Sequence, residues 1–245
     1  MNQSLTARTV LVTGANGGIG EHFVREALER GANRVYAAAR TPRTAEAWGD
    51  DRIVPLELDV TDLGSVVSAV AQATDVDLVV NNAGIAPEGD STLHGSEEQM
   101  RQIFETNVFG PVRLARAFAP TLAANGGGTV INVASAAAWI PVPTLYAASK
   151  SALWSASNGL RVELAAQGTH VTTVLMGMVD TPMATRWEVP KVTPLSVVQQ
   201  AYDGVVSGAL EVLADDDTRQ VKATLSTPAE QFYPSFEALL AGFAA

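Results

Sequence analysis

The chain of 245 residues is 47% hydrophobic and carries a formal net charge of −10. This length suits one large α/β domain or two small ones, and the acidic balance without any Lys/Arg run argues against nucleic acid as a partner. The absence of cysteine excludes disulfides, thiol catalysis and cysteine-based zinc sites. His22, His94 and His170 lack ligand spacing, so we expect no metal site.

The N-terminus lacks the charged start and long apolar stretch of a signal peptide. No window reaches the run of about twenty apolar residues that a transmembrane helix needs. We therefore expect a cytoplasmic protein with no membrane partner. Because neither a repeat nor a linker interrupts the sequence, we expect a single domain over residues 1–245.

The first predicted strand, residues 9–12, is followed at once by a glycine-rich turn, Thr-Gly-Ala-Asn-Gly-Gly-Ile-Gly. A helical pattern continues from there to Gly31. Glycines allow the backbone to approach a pyrophosphate closely, and the positive end of the helix faces the anion. Such a cluster alone could be only a tight turn, but the strand–turn–helix context favours a dinucleotide site.

The second strand, residues 35–39, ends in Arg40, where an NAD-specific site usually carries an acid for the ribose 2′-hydroxyl. An arginine there suits a 2′-phosphate through planar bidentate donation, and Arg43 could assist. The alternative is an ordinary solvated arginine at a strand end. Residue 17 is glycine, so the glycine turn lacks a basic residue that would further support NADP. We predict NADP, with NAD as the second possibility.

The third strand, residues 53–58, leads into Asp59 and Val60 at the sheet edge that lines the ligand crevice of a doubly wound fold. Asp59 could bond the adenine amino group, which we favour, or help to cap the following helix. The fourth strand ends in residues 81–84, Asn-Asn-Ala-Gly. Its amides can bridge neighbouring strands and its small residues leave room for a ribose, although the tetrapeptide alone could be a turn.

A long helix is predicted from Ser96 to Leu122, with acidic residues in its first turn. Pro111 opens the hydrogen-bond ladder several residues earlier, at Asn107. A buried strand at 129–133 then ends just before Ser135. Alternating strands and helices predict an α/β fold, a doubly wound parallel sheet with helices on both faces.

Tyr146 and Lys150 are four residues apart at the start of a helix predicted over 147–166, so they lie one turn apart on the same face. A lysine ammonium beside a phenol favours the phenolate and lowers the tyrosine pKa from its usual value of about 10. Such a tyrosine can exchange a proton with an alcohol oxygen. The alternative is that Tyr146 merely starts the helix and Lys150 extends to water.

A strand at 170–176 precedes residues 182–194, which contain three prolines and no clear periodicity. We interpret this segment as a mobile lid over the substrate pocket. A helix at 196–209 and a last strand at 211–213 follow. Residues 215–217 are interpreted as an acidic surface turn that opens a divergent tail, 215–245, containing Phe232, Tyr233, Phe236 and Phe243.

The glycine turn, residues 81–84, Asn107, Ser135, and Tyr146 with Lys150 occur in an order and spacing that resemble the short-chain dehydrogenase/reductase family, in its compact single-domain branch. The resemblance extends to about Leu213. It implies an NAD(P)-dependent oxidoreductase on a Rossmann-type sheet of about seven strands, assembled as a homodimer or homotetramer.

Carried over by position, the resemblance makes Tyr146 the general acid of carbonyl reduction, Lys150 its activator and a ligand of the nicotinamide ribose, and Ser135 the group that polarises the carbonyl. Asn107 would anchor a water through its main-chain carbonyl. The interval from Ser135 to Tyr146 is shorter than usual, and Met176 replaces a customary proline. The implied cofactor-binding residues are Gly14, Asn16, Gly17, Gly18, Ile19, Gly20, Arg40, Asp59, Val60, Asn82, Ala83, Gly84, Tyr146, Lys150, Val179 and Thr181.

The loop between Ser135 and Tyr146 is apolar, as are several residues of the predicted lid, so a hydrophobic ketone or secondary alcohol, such as an aryl ketone, fits best. Trp139 of the loop and Trp187 of the predicted lid could equally be packing residues.

Two rival functions are an enzyme of the same fold with an acyl or sugar substrate, and a non-catalytic nucleotide sensor. Oligomer contacts are expected on the helices at 97–122 and 147–166. The predicted substrate pocket comprises Ser135, Trp139, Val142, Tyr146, Met178, Met183 and Trp187.

Overall fold

Seven parallel strands form one sheet in the order β3-β2-β1-β4-β5-β6-β7. The computed structural model describes residues 4–236, so Phe243 and the end of the predicted tail lie outside the described residues. The predicted doubly wound α/β sheet is confirmed. The strands are β1 (Thr9–Thr13), β2 (Arg34–Ala39), β3 (Ile53–Glu57), β4 (Leu78–Asn81), β5 (Gly128–Val133), β6 (Thr169–Leu175) and β7 (Glu211–Leu213).

Helices cover both faces of this sheet. Residues of α1 and α7 share one apolar core with one face, whereas α3, α5 and α6 share a second core with the other face. Within residues 4–236 the helices are α1 (Gly18–Glu29), α2 (Ala45–Trp48), α3 (Leu63–Gln72), α4 (Glu97–Phe104), α5 (Gly110–Ala124), α6 (Leu145–Leu164), α7 (Pro194–Ser207), α8 (Asp216–Thr224) and α9 (Ala229–Phe232).

The central strands are continuous apolar runs because both of their faces are buried. Alternation along β1 sends Val10 and Val12 into the core under α1 and α7, while Leu11 enters the opposite core. Strand β4 repeats this division, with Val79 facing the side opposite to Val80. The two-sided core fixes the sheet and leaves its carboxyl edge to carry function.

The helix predicted over 96–122 is divided by a π-helical turn, Glu105–Phe109, between α4 and α5. Ser96 caps α4 in a reciprocal capping box with Gln99. Pro111 has no N–H to donate to the carbonyl of Asn107, four residues earlier, so the ladder widens there as predicted. The turn brings the Asn107 side chain into the buried interior.

The prediction of an acidic surface turn at 215–217 is only partly right. Asp216 and Asp217 are exposed, but they begin α8, and Asp215 is its N-cap, accepting a hydrogen bond from the Thr218 amide at 2.8 Å. Aspartate is a preferred N-cap residue. Its second oxygen accepts the Gly177 amide at 2.7 Å, which attaches the start of the tail to the end of β6.

The segment 182–194, predicted as a lid, begins with a short 3-10 turn, Pro182–Ala184. A parallel bridge joins Val192, near its end, to Val179, just before its start, and the Val192 amide donates to the Met178 carbonyl at 2.9 Å. Among the described residues, no helix is both long and apolar enough to span a membrane.

Candidate active site

The carboxyl ends of the central strands open into a cleft of about 760 Å³. Ligands of doubly wound sheets bind at this edge. The structure therefore brings together residues that the sequence separates by more than a hundred positions. The predicted site residues that line the cleft are Gly14, Gly17, Gly18, Ile19, Asn82, Ala83, Gly84, Ser135, Val142, Tyr146, Lys150, Met178, Val179, Thr181, Met183 and Trp187.

The glycine turn forms one end of this cleft and needs glycine for two reasons. Gly14 has φ +65° and Gly18 has φ +54°, in the left-handed region that other residues avoid. A Cβ on Gly20 would lie 2.1 Å from the Gly14 carbonyl oxygen. Helix α1 begins here without a side-chain cap, so its first N–H groups are available to an anion. The turn thus fits the pyrophosphate of a dinucleotide.

Asn16 does not line the cleft but holds the turn to the loop after β2. Its side chain donates to the Thr41 carbonyl at 2.7 Å and accepts the Arg43 amide at 3.2 Å. The Arg43 guanidinium pairs with Glu21 at 3.0 Å and lies 5.1 Å from the Trp48 ring centroid. Arg43 is therefore engaged in structure, whereas Arg40 is exposed at the end of β2.

Asp59 and Val60 lie outside the main cleft, at the neighbouring carboxyl end of β3. Asp59 accepts hydrogen bonds from the Thr61 amide and hydroxyl at 2.8 and 2.7 Å. The cap of α3 is Asp62, so capping does not occupy Asp59. Burial tends to raise the pKa of Asp59, but the Thr61 hydrogen bonds, with Arg40 and Arg113, lower it overall. The Val60 side chain is buried and packs on Gly110.

Residues 81–84 bridge the strands as predicted, through a partner that the sequence analysis did not single out. The hydroxyl of Thr13, the last residue of β1, accepts the amides of Asn82 and Ala83, both at 3.0 Å. The Asn82 side chain donates back to the Thr13 carbonyl at 2.9 Å. A threonine directly before the glycine turn was the available signal. Asn81 instead bonds Asn132 inside the core.

Ser135, Tyr146 and Lys150 meet at the other end of the cleft. The Ser135 hydroxyl accepts the Ala137 amide at 3.1 Å. Lys150 is only 4% exposed; its ammonium donates to the Val133 carbonyl at 2.8 Å and lies 5.5 Å from the Tyr146 ring centroid. The helical spacing of Tyr146 and Lys150 therefore places both on one side of α6, facing the cleft.

Asn107 lies behind this group rather than in the cleft wall. Its side chain exchanges hydrogen bonds with the main chain of Ile85, at 2.9 and 3.0 Å, and donates to the Ser149 hydroxyl at 3.0 Å. A Cβ on Gly84 would lie 3.3 Å from Asn107 Oδ1 and 3.6 Å from Lys150 Nζ. Gly84 thus keeps the space between these two side chains open.

Burial dominates the ionisation of the Tyr146–Lys150 pair. It raises the pKa of Tyr146, against a smaller lowering effect of the hydrogen bond with Ser135. It lowers the pKa of Lys150 to about 8. The expectation that Lys150 makes Tyr146 acidic is corrected here, because a low-dielectric surrounding disfavours the charged form of both groups.

Two charged residues of the cleft were missed by the sequence analysis. The Asp90 carboxylate accepts the amides of Leu145 and Tyr146, at 2.9 and 2.8 Å. Arg186, in the segment 182–194, also lines the cleft. The Asp90 contact joins segments 55 residues apart, so no local pattern could reveal it.

Trp139 is the predicted pocket residue that the structure places elsewhere. It packs edge-to-face on Trp154 with ring centroids 5.6 Å apart, and the Lys222 ammonium lies 4.5 Å from its ring. It lines a smaller cavity of about 370 Å³ beside Phe232 and Tyr233. We therefore leave Trp139 out of the substrate pocket. Within residues 4–236, no group of three or more ligating side chains could hold a metal ion.

The fold and the cleft place the chain among the dinucleotide-binding Rossmann domains. The family model for short chain dehydrogenase matches residues 8–191, and the chain belongs to this family of NAD(P)-dependent oxidoreductases. Short-chain dehydrogenase PC-15 of Penicillium crustosum is 36% identical over 189 residues, covering 71% of this chain and 66% of that protein. The match thus spans just under two thirds of the Penicillium protein.

Two solved structures share the fold. A short chain dehydrogenase from Burkholderia cenocepacia J2315, in complex with NADP, has TM-score 0.87 and 32% identity, covering 96% of this chain and 99% of that one. The 3-ketoacyl-(acyl-carrier-protein) reductase from Brucella melitensis, complexed with NADH, has TM-score 0.79 and 26% identity, covering 86% and 98%. Both support the prediction of a nicotinamide dinucleotide cofactor.

Proposed function

We propose that this protein is an NADP-dependent carbonyl reductase or alcohol dehydrogenase that interconverts a hydrophobic ketone and its secondary alcohol. The observation that carries the proposal is the meeting of Ser135, Tyr146 and Lys150 at one end of a cleft whose other end is an uncapped, glycine-rich helix start. The three side chains can exchange a proton with a substrate oxygen, and the helix start can bind a pyrophosphate.

The nicotinamide cofactor, when bound, supplies or accepts the hydride. The Tyr146 hydroxyl gives a proton to the carbonyl oxygen during reduction and takes it back during oxidation. Its raised pKa keeps the phenol protonated at neutral pH, which favours its role as the acid in reduction. Ser135 holds the carbonyl oxygen beside that hydroxyl.

Lys150 and Asn107 support the proton donor. The Val133 carbonyl fixes the Lys150 ammonium within the cleft, where it would bond the ribose hydroxyls of the cofactor. The Asn107 carbonyl, which lacks the usual helical donor because residue 111 is proline, is the proposed anchor of a water leading from Lys150 to solvent.

The preference for NADP rests on Arg40, an exposed cation at the carboxyl end of β2 with no ion-pair partner among the described residues. A guanidinium there can bond a 2′-phosphate with two parallel N–H groups. Asp59, one of whose oxygens is bonded to Thr61, is proposed to accept from the adenine amino group. Exchanging Arg40 for Asp tests this: an unchanged preference for NADP over NAD would remove Arg40 from the proposal.

The proposed substrate is hydrophobic because apolar side chains dominate the cleft beyond Tyr146. These are Val142 from the loop before α6 and Met178, Met183 and Trp187 from the segment after β6. Residues 182–194 are proposed to act as a lid over this region. A panel of aryl ketones, β-ketoacyl thioesters and sugars, assayed with NADPH and NADH by absorbance, distinguishes the substrate classes, and preferred turnover of a thioester or sugar would reverse the assignment.

The decisive experiment exchanges Tyr146 for Phe. We expect kcat to fall by at least about a hundredfold, because a general acid typically contributes 10²–10⁴-fold, while NADPH binding persists. The matched control is Tyr233→Phe, since Tyr233 is 56% exposed and lies outside the cleft. Undiminished turnover by the Tyr146 variant would refute the catalytic assignment and favour a nucleotide sensor.

We also propose a homodimer or homotetramer, with contacts on α4, α5 and α6. Phe109, which ends the π-helical turn between α4 and α5, is 52% exposed, and Val162 of α6 is 78% exposed. Large apolar side chains at the surface are consistent with an interface. Light scattering that finds only monomer across working concentrations would contradict this assembly.

A further inference from the structure

Asp90 connects the loop after β4 to the first turn of α6. Its two carboxylate oxygens accept the amides of Leu145 and Tyr146 at 2.9 and 2.8 Å. These are the first two residues of the helix, whose amides have no acceptor within it. The Thr144 hydroxyl accepts the third amide, from Ala147, at 3.1 Å. The first three backbone amides of α6 therefore all donate to side-chain oxygens rather than to carbonyls of the helix.

The same carboxylate also lines the cleft into which Tyr146 opens. A second tie, from the Thr92 amide to the Pro143 carbonyl at 3.1 Å, holds the loop against the segment that precedes α6. Because two N–H groups hold the carboxylate, its negative charge stays at a fixed place beside the Tyr146 backbone. A substrate anion near Tyr146 would meet this partly buried charge, which the solvent screens less than a charge on the open surface.

Two cations, Lys150 and Arg186, also line the cleft. The Val133 carbonyl holds the Lys150 ammonium, which in the proposed function bonds the ribose of the cofactor. Arg186 stands in a different setting. Its side chain is exposed, and its guanidinium lies 5.3 Å from the ring centroid of Trp187. Exposed charges are strongly screened by water and salt. Asp90 is therefore the fixed, partly buried charge that we expect a substrate beyond Tyr146 to meet.

We propose that Asp90 is a positioning and specificity residue: it fixes the first turn of α6 so that Tyr146 faces Ser135, and it makes the cleft favour neutral over anionic carbonyl compounds. The positioning part of this inference rests on the proposed function. The selectivity part concerns binding and can be measured without turnover.

Benzamide and benzoate form a matched probe pair, nearly equal in shape and different in charge. Calorimetric titration of the protein, with and without NADP, should show benzamide binding at least about tenfold more tightly than benzoate. Asp90→Asn should reduce that ratio about tenfold. The control is Glu88→Gln, which removes the same charge from the same loop at an exposed position outside the cleft lining and should leave the ratio unchanged.

Turnover tests the positioning role with methyl benzoylformate and benzoylformate. The asparagine variant keeps one acceptor and turns a donor toward the other amide, so kcat for the ester should fall about tenfold with little change in KM. The relative kcat/KM for the anion should rise, and Glu88→Gln should resemble the wild type.

Each outcome separates the two claims. An unchanged kcat removes the positioning role. Equal losses for ester and anion, with an unchanged benzamide/benzoate ratio, reduce Asp90 to a helix cap. A wild type that prefers benzoate overturns the selectivity and assigns the dominant charge to the cations Lys150 and Arg186. If the predicted binding preference appears but no ketone is reduced, the proposed function fails while the selectivity of Asp90 stands.

Discussion

The two ends of the cleft are built in different ways. The nucleotide end, formed by the glycine turn, consists of short motifs at the ends of adjacent strands. Gly14 and Gly20 act there through the main chain, and the Thr13 hydroxyl accepts main-chain amides. The substrate end depends on side chains that join distant segments, such as Asp90 to α6 and Asp215 to Gly177. The first design tolerates no side chain at a crowded position such as Gly20, whereas the second distributes its stability over several separate contacts.

The largest effect is expected when a methyl group is added at Gly20, in the nucleotide end. Gly20→Ala would place Cβ 2.1 Å from the Gly14 carbonyl oxygen, so we expect a loss of more than about 4 kcal/mol in the free energy of unfolding, or no folded protein. Gly17→Ala is the control, because its Cβ meets nothing within 4 Å, and it should change stability by less than about 1 kcal/mol. Urea denaturation followed by circular dichroism measures both; equal losses would contradict the steric account.

The next effect concerns the buried charge of Lys150. Its pKa is about 8 in the folded protein, below the unfolded value, so the folded state releases its proton first as the pH rises. The unfolded state then binds more protons, and the stability of the wild type should increase between about pH 8 and 10.5, by up to roughly 3 kcal/mol relative to Lys150→Met.

Denaturation of both proteins across this pH range measures the difference. Lys191, which is not buried, supplies the control: Lys191→Met should follow the wild type at every pH. A constant difference between the wild type and Lys150→Met would show that burial does not lower the pKa of Lys150.

Thr13→Val tests the link between the two strands of the nucleotide end. Without the hydroxyl, the Ala83 amide loses its acceptor, the Asn82 amide keeps only the Val80 carbonyl, and the hydroxyl's own donation to that carbonyl is lost. We expect a destabilisation of about 2 kcal/mol. Thr173→Val is the matched control, since the hydroxyl of this buried threonine has no hydrogen-bond partner among the described residues. That variant should be neutral or more stable in the same denaturation experiment, and the reverse order would refute the role of Thr13.

The smallest effect is expected at the substrate end, from Asp215→Asn. The variant weakens the cap of α8 and the bond to the Gly177 amide, which should cost about 1 kcal/mol in unfolding free energy. Asp217→Asn, in the exposed first turn of α8, should stay within about 0.5 kcal/mol of the wild type. A shift of equal size in both melting temperatures would mean that only the overall charge matters.

Much of the fold could be predicted from the pattern of apolar residues in the sequence. The apolar runs predicted each strand to within one or two residues, because strands buried on both faces must be apolar throughout. The spacing of Tyr146 and Lys150 predicted their common side of α6. Local patterns failed where a contact depends on a distant partner: Asp215 was interpreted as surface, and Trp139 was assigned to the cleft although Trp154 and Lys222 hold it elsewhere.

The sequence by itself determined the sheet, the glycine turn and the common helix face of Tyr146 and Lys150, because each depends on a periodicity or a steric rule within a few neighbouring residues. Only the tertiary structure decided the electrostatics of the cleft. Burial sets the pKa of Tyr146 and Lys150, and the approach of Asp90 to α6 sets the charge beside them. These quantities depend on which distant groups exclude water from a point in space, and no spacing along the chain encodes that exclusion.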